Sequence, residues 1–133
     1  MSFLIDSNVL ISSYDETEQQ HKTSYALLEK SMNKEIRAAI AHQNLLEYLA
    51  VVTDARRVEN PLQLKEALSN IDAYMASLTT ISPKPTTMDT FERLVKDNPI
   101  TKGAIFDGYL VATALDSGIR RICTWNAKAF RKH

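Results

Sequence analysis

Four short apolar runs, each leading into a helix-like stretch, constrain this chain more than any other feature. SFLID at 2–6, IRAAIA at 36–41, LTTI at 78–81 and IRRICT at 119–124 are too short for amphipathic helices and read as buried strands. Between and after them, helical stretches are predicted at 7–13, 17–32, 42–54, 61–77, 86–98, 103–116 and 126–131. Pro61 sits at a favoured first-turn position, Pro99 stops the fifth stretch, and Ser117-Gly118 is a C-cap signal for the sixth. The low count of 3 Gly and 4 Pro suits a helix-rich chain. Short strands alternating with helices imply a parallel sheet covered on both faces. At 133 residues the expectation is one domain over residues 1–133 with a core of its own.

Composition removes several classes. The longest stretch free of Asp, Glu, Lys and Arg, residues 73–83, has 11 residues, well short of the ~20 a membrane helix needs. The MSFLID start lacks the basic residues and long apolar run of a secretory signal. The single Cys123 excludes an internal disulfide framework and a thiolate zinc cluster. The expectation is a reduced, cytoplasmic setting with no membrane. Net charge is zero, yet residues 117–133 hold 5 basic groups (Arg120, Arg121, Lys128, Arg131 and Lys132) and no acids. A basic end on an acidic body suits a polyanion approaching a carboxylate-held metal. It is equally what a solvated tail would carry.

Four polar residues stand where chemistry could be done. Asp6 closes the first predicted strand, and in open parallel sheets ligands bind at the carboxyl ends of strands; Asp6 or Asn8 can equally cap the next helix. Asn126 follows Thr124 after the last strand, with the same two readings. Asp107 sits in AIFDGYLVATAL, a helix apolar around most of its circumference, where a carboxylate is costly unless a cation or donors meet it. It lies about one turn inside, so the helix dipole also favours it. Glu47 in HQNLLEYLAVV falls at the flank of the apolar arc, where it can line a cleft or be solvated. No Gly-rich phosphate loop, His-x-x-x-His pair or G-x-S-x-G elbow exists. His42 suits a cap or the surface better than a ligand. A phosphatase of the aspartyl-nucleophile kind would want Asp where Asn8 stands.

In order, FLIDSNVLI, QNLLEYLAVVTDARR and IFDGYLVATALDSGIRRICTWNAKAF resemble the PIN domain, in the small VapC type of bacterial and archaeal toxin–antitoxin systems. The resemblance spans nearly the whole chain. It implies a PIN-like three-layer α/β/α sandwich with a short parallel sheet of four or five strands. It matches Asp6, Glu47 and Asp107 to the family's first three acids. Asn126 stands at the fourth, often an Asp, with Thr124 two residues earlier as in the family and Asn8 as a further supporting polar group. It implies Mg²⁺- or Mn²⁺-dependent cleavage of RNA, a homodimer and a partner antitoxin whose tail fills the active-site groove. Arg120, Arg121 and Lys128 would hold the RNA backbone. There are two departures. Asn126 supplies no charge, and the sequence given stops soon after Phe130, where many relatives continue into one more edge strand. A PIN nuclease of RNA processing or quality control, and a degenerate PIN-like module that binds without cutting, are the alternatives.

The chemistry agrees with the resemblance. Phosphodiester hydrolysis needs an activated water and a counter-charge for the developing phosphorane, and Mg²⁺ or Mn²⁺ supplies both. These hard ions choose oxygen ligands and keep several waters. Three acids crowded without metal raise one another's pKa values.

Overall fold

The computed structural model describes residues 2–130, with the side chains of Lys128 and Ala129 outside the description. Strand β1 (Phe3–Ile5) runs into α1 (Ser7–Tyr14), followed by α2 (His21–Met32). Then come β2 (Ala38–Ala41), α3 (His42–Val52), α4 (Leu64–Ser77) and β3 (Thr79–Ile81). The rest is α5 (Thr87–Asp97), α6 (Ala104–Asp116), β4 (Ile122–Cys123) and α7 (Ala127–Phe130). The four strands form one sheet in the order β3-β2-β1-β4. Every pairing is parallel, with Leu4 opposite Ala39 on one side and Ile122 on the other.

Successive residues of a strand face opposite sides of the sheet, and this alternation builds two cores. Ile5, Ala38 and Ile40 pack with Val9, Leu10, Leu28, Leu45, Tyr48 and Ile71 from α1 to α4. Leu4, Ala39, Ala41 and Ile81 pack with Leu110 and Ala114 of α6 and with Ile119. Leu4 and Ile5 are both 0% exposed, so β1 is covered on both faces and the expected α/β/α sandwich is present. Helix α5 lies outermost and packs against α6. The Phe91 and Tyr109 rings meet edge-on at 5.9 Å. The Asp116 carboxylate accepts from Thr90 Oγ1 at 2.7 Å and from Thr86 and Thr87 Oγ1 at 2.9 Å.

Several boundaries differ from the sequence expectation, each for a local reason. Helix α2 starts at His21, because Asp15 Oδ1 captures the N–H and hydroxyl of Thr17 in a turn. Pro61 lies outside α4. Leu62 N–H donates instead to Val52 O at the end of α3 (2.8 Å), and α4 opens at Leu64, with Glu66 Oε1 accepting from Gln63 N–H. Residues 36–37 and 119–121 precede the strands rather than belonging to them. The C-cap signal is met: Gly118 takes φ 75°, a left-handed conformation easy for glycine, and Ile119 N–H returns to Ala114 O at 2.9 Å.

Candidate functional site

All four strands run the same way, so the chain leaves β1, β2 and β4 at one edge of the sheet. Asp6 leaves β1 there and is also the N-cap of α1: its Oδ1 accepts from Ser7 N–H at 2.8 Å. The capping reading and the site reading are therefore both true of one side chain. Asn44, fully buried in the first turn of α3, presents Nδ2 to Asp6 Oδ1 in a long contact of 3.5 Å. Its own Oδ1 accepts from Ala41 N–H. Just after β4, Thr124 Oγ1 donates to Asp6 Oδ2 at 2.8 Å. The same hydroxyl accepts from Asn8 Nδ2 and from Asn126 N–H, each at 3.0 Å. A hydroxyl has one proton and two lone pairs, so Thr124 is saturated and its proton is committed to Asp6.

Glu47 on α3 and Asp107 in the first turn of α6 complete the acidic group. Glu47 is exposed as a whole and Asp107 partly buried. Desolvation at the Glu47 carboxyl, then the charge of Asp6, then that of Asp107, push its pKa up, against a hydrogen bond from Gln43 that lowers it. The three acids thus share one electrostatic field. Gln43 Nε2 also donates to Phe106 O at 3.0 Å, tying α3 to the turn that carries Asp107. Among the described residues, no three His, Cys, Asp or Glu side chains are grouped tightly enough to hold a metal ion by themselves. The acids are electrostatic neighbours and not a closed cage. Cys123, one residue before Thr124, has its thiol pKa raised by burial and then by Asp6.

Residues 3–133 match the PIN domain. The chain belongs to the PIN domain family. Solved structures of similar shape agree. VapBC2 from Rickettsia felis, bound to a DNA fragment from its promoter, is 17% identical with a TM-score of 0.69, over 99% of this chain and 92% of that one. Mycobacterium tuberculosis VapC20, a toxin that cleaves the sarcin–ricin loop, is 9% identical with a TM-score of 0.71, over 97% and 93%. VapBC-1 from nontypeable Haemophilus influenzae is 12% identical with a TM-score of 0.66, over 99% and 92%. These likenesses are of fold. No curated protein matches the chain.

The remaining sequence-derived residues fall unevenly on this PIN domain. Asn126 is exposed and reaches the site through its backbone N–H to Thr124. Arg120 and Arg121 are exposed but precede β4, at the strand end away from Thr124, where Arg121 O accepts from Leu4 N–H. Arg120 does line a cavity of about 410 Å³ that also reaches Thr124. The Lys128 side chain, Arg131 and Lys132 lie outside the described residues. Sequence reasoning missed Ser7, Gln43 and Asn44. Asn44 was hidden: helical spacing turns it away from the arc of Leu45, Leu46, Leu49, Ala50 and Val52, yet Asn44 is fully buried and Leu46 is 65% exposed.

Proposed function

We propose that this PIN domain is a Mg²⁺- or Mn²⁺-dependent endoribonuclease, the toxin of a toxin–antitoxin pair. The observation that carries the reading is the convergence of Asp6, Glu47 and Asp107 on one electrostatic field, in which burial and then the charges of Asp6 and Asp107 push the Glu47 pKa up. The donor set is oxygen only, which fits hard divalent ions, and such ions keep several waters, so the open spacing of the acids suits a partly hydrated ion. Asp6, Glu47 and Asp107 would hold it, with Asn126 at the margin. A bound ion would acidify a water and offset charge on the scissile phosphate. Thr124 and Asn44 hold the Asp6 carboxylate, Asn8 holds Thr124, and Gln43 restrains α3 against α6.

The partner and oligomer belong to the same proposal. A further structure of similar shape, from Klebsiella pneumoniae, is a toxin–antitoxin complex. Here Leu46, Ile105 and Phe106, at 65%, 41% and 67% exposure, flank Glu47 and Asp107 and offer an apolar rim to an antitoxin segment. Leu64, Leu68 and Met75 on α4 are also exposed and support the homodimer reading. The single Cys123 suits a reducing, cytoplasmic setting. No described helix is long and apolar enough to cross a membrane.

The test is cleavage of a mixed RNA substrate with Mg²⁺ or Mn²⁺, against excess EDTA. Cleavage that needs the ion supports the proposal; undiminished cleavage in EDTA rejects the metal mechanism. The uncharged Asn126 favours one second reading, a degenerate module that binds RNA or a partner without cutting. Metal-dependent stabilisation with no cleavage of any RNA would select it.

A further inference from the structure

The chain has one tryptophan, and it sits in the loop that forms the site. Trp125 follows Thr124 directly, and its backbone N–H donates to Asn8 Oδ1 at 3.2 Å. Its indole Nε1–H donates to Ser24 Oγ on α2 at 2.8 Å. Ser24 is 0% exposed and exchanges a further hydrogen bond with Ser12 of α1 at 2.5 Å. Both polar hydrogens of the residue are therefore anchored, one of them to a fully buried partner. Yet 46% of Trp125 stays open to solvent. With the N–H satisfied inside, what remains outside is apolar ring surface.

A Trp with its N–H held by a buried partner and close to half of its area open to solvent has the form of an interface aromatic. An exposed aromatic ring whose orientation is already fixed loses little freedom on contact with a flat partner. Unstacked bases of single-stranded RNA are such partners, and they stack on aromatic side chains largely without regard to base identity. The loop that carries the ring also carries Thr124, bound to Asp6. The ring is thus one residue from a group that holds an acid of the site, and Asn8, which accepts from the Trp125 N–H, also donates to Thr124.

We infer that Trp125 is a rigid stacking platform for an unpaired base of the RNA substrate, with Ser24 as the residue that sets the ring's orientation. The inference rests on the nuclease reading and deepens it by assigning a substrate contact: the substrate is unpaired next to the cleaved bond. Trp125 acts on binding, and Ser24 acts through Trp125.

Because Trp125 is the sole tryptophan, its fluorescence reports the contact without a label. In EDTA, a short single-stranded oligoribonucleotide is expected to quench it saturably, and an abasic oligomer of the same length is not. With metal, Trp125→Leu is expected to raise KM about 10-fold or more, the scale of one lost stacking contact, with a smaller change in kcat. Trp125→Phe keeps a ring and should recover most of the loss. Ser24→Ala should leave circular dichroism unchanged, speed local depolarisation of the indole and raise KM less than Trp125→Leu does. Cleavage by the wild type with no quenching, and with KM unmoved by Trp125→Leu, would overturn the platform while sparing the nuclease; the ring surface would then belong to a protein partner. Equal quenching by the abasic oligomer would also overturn it. Quenching is read without turnover, so failure of cleavage alone counts against the nuclease reading and not against the stack.

Discussion

Thr124 Oγ1 lies 2.8 Å from Asp6 Oδ2 and joins residues 118 positions apart. The hydroxyl's only proton is spent on this bond, so the threonine aims the carboxylate. Thr124→Val, which keeps the shape, should lower metal affinity or cleavage by about 10–100-fold, the usual effect of removing a group that orients a ligand. Fold should be preserved by circular dichroism. An unchanged cleavage rate would count against the orienting role.

Asp6 separates chemistry from folding when replaced by Asn. Asn caps helices about as well as Asp, so Asp6→Asn should fold normally while cleavage falls more than about 100-fold. Asp107→Asn should behave alike. Unfolding in either variant would mean that the charge serves the structure first.

Glu47 makes a pH prediction. Its folded pKa is raised, by desolvation first and then by Asp6 and Asp107. The fold therefore favours its protonated form. That contribution is complete below the unfolded Glu value of about 4.3 and is lost as pH rises through the higher folded value. Metal-free protein should gain Tm from this group as pH falls from neutral toward 4, and Glu47→Gln should abolish the gain. At neutral pH, Mn²⁺ at 100-fold above its Kd should stabilise the wild type by about 2.7 kcal/mol and the Gln variant much less. Thermal melts with and without Mn²⁺ measure both.

Asp116 predicts the opposite sign. Hydrogen bonds from Thr90 and Thr87, then Thr86, and the charge of Lys84 hold its carboxyl pKa down. Its stabilising effect is present above the unfolded Asp value of about 3.9 and disappears as pH falls through the lower folded value. Asp116→Asn should therefore lower Tm at pH 7 and converge with the wild type at the acid end. A constant Tm gap across pH would remove the charge from the explanation.

The basic end predicts a salt effect. Replacing Arg120, Arg121 and Lys128 by Gln should weaken RNA binding, and the slope of log affinity against log salt should shrink by about 0.7 for each lost phosphate contact. An unaltered slope would assign these residues to the solvated surface, in keeping with the position of Arg120 and Arg121 before β4.

The layers and the acidic edge were legible because they rest on local signals. FLI, AAIA and IC are apolar runs, and Asp6 and Thr124 are the polar residues that end two of them. Helix starts were less legible where a side chain competes with the backbone: Asp15 holds Thr17 in a turn, and the Leu62 bond to Val52 keeps Pro61 out of α4. The contact between Trp125 and Ser24 spans 101 residues, and no periodicity encodes such a pairing. Asn44 was not legible either: the helical pattern turns it away from the apolar arc, and only tertiary packing buries it beside Asp6.

The sheet order puts β4 beside β1, so the first strand waits for the last. Domains generally fold as units while the chain is synthesised. A nascent chain of this protein cannot complete the Asp6 hydrogen-bond set until Thr124 has cleared the ribosomal exit tunnel. If this edge is the proposed nuclease centre, it stays unbuilt in a nascent chain for as long as Thr124 is missing from beside Asp6.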